Sequence, residues 1–132
     1  MTLYSLHTYL RPNEPVGFYI LTLLAVAILI LLISLVEMVA LQLLRWGNTR
    51  QAMRASLAMN LISSLVGIIL LGLFPQPNVR HLLAAWPILF IVEGIVLSRI
   101  RPEAIRFNWF AAAIANLASY IILILPAFLF RG

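Results

Sequence analysis

The chain of 132 residues holds four carboxylates, all glutamates, and two of them are embedded in apolar runs: Glu37 in VEMVALQLLR (36–45) and Glu93 in VEGIVLSRIR (92–101). An acidic side chain at the centre of a membrane helix costs about 2.5–3.5 kcal/mol on the insertion scale, so both positions need a reason. Two kinds of chemistry suit them. As a neutral acid, a glutamate donates to an amide carbonyl while accepting from its NH2, so a Glu/Asn pair satisfies itself. As a carboxylate it can take up a proton, a cation or a polar substrate, a common task of ionisable groups in membrane helices. Amide and hydroxyl partners stand in the other apolar runs, Asn60 with Ser63 and Asn116 with Ser119.

Catalytic chemistry finds few candidates. The sequence has no aspartate and no cysteine, its histidines are His7 and His81, and no HExxH, GxSxG, P-loop or dinucleotide fingerprint occurs. Disulfides, thiolate nucleophiles and cysteine-ligated metals are thereby excluded. The reading is of a protein that is no enzyme, with no cofactor and no metal site, its histidines serving as interfacial residues.

The two glutamates belong to an internal repeat. Shifting the chain by 56 residues lays 36–74 on 92–130 and pairs Glu37 with Glu93, Arg45 with Arg101, Arg50 with Arg106, Asn60 with Asn116 and Ser63 with Ser119. Apolar matches are cheap between membrane helices; the polar ones carry weight because such residues are scarce at membrane depth. Self-similarity at a fixed period reports repeated architecture. A two-helix unit re-enters the membrane in its original direction, so the halves are expected to be related by an axis along the membrane normal.

The elements that must position these groups follow from composition. With 64% hydrophobic and 10% charged residues and a mean hydropathy of +1.06, the chain lies outside the range of soluble domains. Four apolar stretches, 16–44, 55–74, 82–100 and 107–130, each approach the roughly 20 residues that cross a bilayer core. The expected fold class is an all-α membrane protein: one four-helix transmembrane domain over 1–132, arranged as a tandem, parallel repeat of a two-helix hairpin with units 16–74 and 82–130. The leading segment lacks the basic n-region of a secretory signal, so the first stretch reads as a retained helix.

The basic residues are nine arginines, giving a formal charge of +5, and most flank apolar runs, which argues for a topology signal and against nucleic acid as a partner. Arg45, Arg50 and Arg54 lie between the first two stretches and Arg99, Arg101 and Arg106 between the last two, leaving Arg11, Arg80 and Arg131 for the other side. The excess places both arginine-rich loops in the cytoplasm and both termini outside, in a bacterial inner membrane. Helices are predicted to start near residues 50 and 103. Pro87 is expected in the first turns of the third helix and Pro126 deeper in the fourth as a kink, with FPQPN (74–78) as a tight connection. Trp46, Trp86 and Trp109 read as belt anchors at helix ends.

Helical spacing puts Ser56, Asn60, Ser63 and Gly67 on one face, and Ala112, Asn116 and Ser119 on another, with Ala111, Ala115 and Ser119 as a small-xxx-small run. Counting along the helices from the arginines brings Glu37, Asn60, Ser63, Glu93, Asn116 and Ser119 to one inward-facing layer. The stretch VEMVALQLLRWGNTRQAMRASLAMNLISSLVGIILL resembles a Glu…Arg…Ser-x-x-x-Asn-Leu-x-Ser…Gly pattern of small, mostly uncharacterised four-helix bacterial membrane proteins, and is similar to the first hairpin of the cyanobacterial filament-integrity membrane proteins, which act at septa between cells. The second half has Ala112 and Leu123 where that pattern has Ser and Gly. The resemblance implies a non-enzymatic membrane component. Two functions are therefore expected: a structural or accessory component that contacts other membrane subunits or itself, and, as the alternative, a small homo-oligomeric transporter or channel that uses Glu37 and Glu93 for proton or cation binding.

Overall fold

A computed structural model describes residues 16–73 and 79–129. The segment 74–78, His7, Arg11 and Arg131 lie outside the described residues. Among the described residues the fold has four long helices: α1 Val16–Leu43, α2 Thr49–Gly72, α3 Val79–Ile100 and α4 Ile105–Ser119, the last extended by a π turn at Tyr120–Ile124 and a short α5 at Leu125–Leu129. No strand occurs among the described residues. Among the described residues four helical segments are long and apolar enough to cross a bilayer, Val16–Leu43, Thr49–Leu70, Leu83–Ile100 and Pro102–Ile124, which is the organisation of a multi-pass membrane protein. α1 packs on α2 and α4, and α3 packs on the same two, so the helices form a ring in the order 1-2-3-4.

The helix ends follow from local chemistry. α1 closes with Arg45 at a positive φ of 55°, its N–H bonded to the Gln42 carbonyl at 2.9 Å and that of Trp46 to the Leu41 carbonyl at 2.9 Å. This is the reverse-turn helix cap that ordinarily uses glycine. α2 begins with reciprocal capping: the Gln51 N–H donates to Asn48 Oδ1 at 2.9 Å, and the Asn48 N–H donates to Gln51 Oε1 at 3.1 Å. After α3 the chain turns through a 3-10 segment at Pro102–Ala104, with proline where its missing N–H costs nothing.

What holds the unfavourable Arg45 cap is the residue after it. Trp46 is fully buried, its Nε1–H donates to Asn108 Oδ1 at 2.8 Å, and Asn108 Nδ2 donates in turn to the Arg101 carbonyl at 2.6 Å. Arg101 Nη1 returns to the Trp46 carbonyl, with the guanidinium 5.4 Å from the Trp46 ring centroid. Trp46 is therefore no belt anchor: Asn108 of α4 and Arg101 of the loop after α3 clamp it inside the protein, where the buried indole N–H finds a partner. Trp86 and Trp109 are also half-buried, Trp86 against Phe90 and Tyr120 and Trp109 against Phe90. They fill helix–helix contacts within the bundle.

Packing is closed at one end and open at the other. The core consists of Leu41, Trp46, Met59, Leu97 and a set of alanines including Ala52, Ala55, Ala111, Ala112 and Ala115, all on the arginine-rich side of Glu37 and Glu93 or level with them. Small residues let the backbones approach there. Toward the other end, α1 from Val16 to Leu29 is exposed almost throughout, as are Leu65, Ile68 and Ile69 of α2. Pro87 stands in the third turn of α3, because that helix starts at Val79. Pro126 follows directly on the π turn, where the Leu125 N–H bonds to the Tyr120 carbonyl; widening the helix accommodates a ring that would clash with the carbonyl four residues back.

Candidate functional site

Glu37, Asn60, Ser63, Glu93, Asn116 and Ser119 are all buried and are brought together. Asn60 Nδ2 donates to Glu37 Oε2 at 2.5 Å, and Asn116 Nδ2 donates to Glu93 Oε2 at 2.7 Å. Each of these pairs spans neighbouring helices of one hairpin, 23 residues apart in both cases. The serines cross over. Ser119 Oγ of α4 donates to Glu37 Oε1 of α1 at 2.9 Å, and Ser63 of α2 lies near enough to Glu93 of α3 for its hydroxyl to interact with that side chain. Hydrogen bonds thus cross the α1/α2, α3/α4 and α4/α1 interfaces, and the Ser63–Glu93 approach at α2/α3 completes a ring that runs round the bundle.

The ring uses its donors almost fully. The second Asn60 Nδ2 hydrogen reaches the Ser56 carbonyl at 2.9 Å, and Ser119 Oγ also lies 3.0 Å from the Asn116 carbonyl. An acceptor is left over: Asn116 Oδ1 is buried and has no hydrogen-bond partner. The two glutamates also lie close enough to interact electrostatically.

On the open side of the ring lies a cavity of about 410 Å3. All four helices line it: Glu37, Asn60, Ser63, Glu93, Asn116 and Ser119 provide its polar end, and residues such as Ile33, Leu89 and Ile124 its apolar wall. From Glu37 to Val26, the most distant α1 residue in the wall, is eleven residues of helix, about 16 Å. Tyr120 and Ile124, the two ends of the π turn, also face it. Such bulges are frequent at functional sites because they re-aim side chains within a continuous helix.

The arginines have separate fates. Arg45, Arg50, Arg54, Arg99 and Arg106 are exposed around the closed end. Arg101 is partly buried in the Trp46/Asn108 clamp and pairs with Glu103 at 3.2 Å, an exposed contact worth little by itself. Sequence reasoning passed over Asn108, although it lies four residues before Ala112 and eight before Asn116, on the same helical face. That spacing was the available signal.

Among the described residues no group of three or more His, Cys, Asp or Glu side chains could hold a metal ion. The arrangement can hold a proton or a positively charged group between two carboxylates, or it can tie four helices together. Comparison of the chain with protein-family models, with curated proteins and with solved structures finds no match.

Proposed function

We propose that this is a non-enzymatic integral membrane protein, a structural or accessory component of a membrane assembly, built as a tandem repeat of a two-helix hairpin whose halves are joined by the Glu/Asn/Ser ring. The observation that carries this reading is the crossed pairing: each glutamate takes an asparagine from its own hairpin and a serine from the other. Contacts of this kind are worth about 0.6 to 2 kcal/mol each, and distributed over four interfaces they set helix register. The matched pairs, one repeat of 56 residues apart, support the duplication. The six arginines at the closed end support an orientation with that end in the cytoplasm and both termini outside, in a bacterial inner membrane.

A small homo-oligomeric carrier is the second reading, favoured by the cavity that opens directly on the paired acids. The two differ in assembly and in their response to amidation. Extracted from its native membrane in mild detergent, the accessory component migrates with other subunits; a defined homo-oligomer overturns this reading in favour of the carrier. In the double variant Glu37→Gln, Glu93→Gln, each amide can keep its oxygen toward the asparagine and turn its NH2 to a serine hydroxyl, so the ring is preserved. An accessory component assembles normally with that variant.

A further inference from the structure

We infer that the cavity is a binding site for a small amphiphilic monocation, an organic ammonium whose head lies at the Glu37/Glu93 end and whose aromatic or aliphatic body lies along the apolar wall. The inference goes beyond the accessory reading and requires only the ring and the space next to it.

Three observations on different residues converge. First, the ring has used most of its donors and kept an acceptor: both Asn60 amide hydrogens are used, Asn116 Nδ2 and the serines point at the carboxylates, and Asn116 Oδ1, in a side chain only 2% exposed, has no partner while lining the cavity. With the carboxylates, that free amide oxygen gives the polar end acceptors that call for a donor, beside the hydroxyls of Ser64 and Tyr120 in the same lining. Second, among the described residues no arginine or histidine lines the cavity, so none of them places a cationic side chain there to balance the two acids. Third, the volume of about 410 Å3 falls in the range of small-molecule sites, which pair a mostly apolar wall with a few placed polar groups. A bare metal ion would leave most of that wall unused.

The site can be closed without touching its acids. A side chain added at Gly67 meets only Leu89 Cδ2, at 3.9 Å, an ordinary contact, and grows into the cavity that Gly67 lines. The test uses the full chain in phosphatidylcholine nanodiscs, with empty nanodiscs subtracting partition into lipid, and three probes that differ only in the head: 4-phenylbutylammonium, 4-phenylbutanol and 4-phenylbutyrate. The expected result is saturable binding of the ammonium, tighter than either analogue by about tenfold or more, a factor equal to about 1.4 kcal/mol. Glu37→Gln and Glu93→Gln each weaken it by about tenfold, the size of one charge-assisted contact, and Gly67→Leu removes it. Equal binding of the alcohol, tighter binding of the carboxylate, or undiminished binding by Gly67→Leu overturns the proposal. Should a glutamine variant fail to fold, the probe series and Gly67→Leu decide alone. Native mass leaves this result unaffected, so failure of the accessory reading and failure of this one are distinguishable.

Discussion

Asn108 and Trp46 illustrate how a single buried donor and acceptor govern a loop. Trp46 Nε1 has Asn108 Oδ1 as its partner, and Asn108 Nδ2 also holds the Arg101 carbonyl, so an apolar residue at 108 leaves the buried indole N–H without a partner and the Arg101 carbonyl with only the Ala104 N–H. The orphan costs about 1–3 kcal/mol and the second, lost bond about 0.5–1.5 kcal/mol. Asn108→Leu is therefore expected to destabilise the bundle by about 2–4 kcal/mol, read as a fall in the denaturant midpoint of the detergent-solubilised protein. The same substitution in a Trp46→Phe background should cost less, because the indole N–H is already gone; equal costs in both backgrounds would sink the clamp as described. Glu37 and Glu93 differ in kind: their four helix partners are matched across the repeat, whereas Trp46 and Asn108 align with Pro102 and Ala52 under the 56-residue shift, so the clamp belongs to this chain's asymmetry.

At the scale of elements, the two hairpins solve the same packing problem differently. In the second, Gly94 of α3 lies directly under the Trp109 ring of α4, so close that an added Cβ would overlap the ring atoms. The positions that align with them in the first hairpin are Met38 and Met53, and there α1 and α2 leave a groove that both methionines line. Glycine lets the large ring sink against the helix; two flexible side chains of middling size do not close their interface. Gly94→Ala should push Trp109 away from α3 and cost about 1–3 kcal/mol, as overpacking does, with a changed Trp109 near-ultraviolet signal as the check. A silent Gly94→Ala, in stability and spectrum alike, contradicts this packing.

At the scale of the whole molecule, the closed arginine-rich end and the open opposite end make the two ends experimentally distinct. The chain has no cysteine, so single introduced cysteines report their side of the membrane without background. Glu103 is exposed at the arginine-rich end, and Gly72, at the end of α2, has open space around its Cα. In intact cells, a membrane-impermeant maleimide is expected to label Gly72→Cys and to spare Glu103→Cys until the membrane is permeabilised; the reverse pattern inverts the proposed orientation.

Sequence alone determined that four helices are long and apolar enough to span a membrane, that the second and fourth start near residues 50 and 103, where the structure has Thr49 and Pro102, and that six polar residues would meet, because hydrophobic length and helical period are local properties countable along the chain. It missed Trp46 as a core residue, since a tryptophan at a helix end looks the same whether it faces headgroups or a second loop. Only the tertiary structure decided which serine reaches which glutamate, that Asn108 and Arg101 enclose Trp46, and that the helices part beyond the ring to leave a cavity. These depend on distances between helices far apart in sequence, set by the small residues that draw one end together and the large exposed ones that leave the other open.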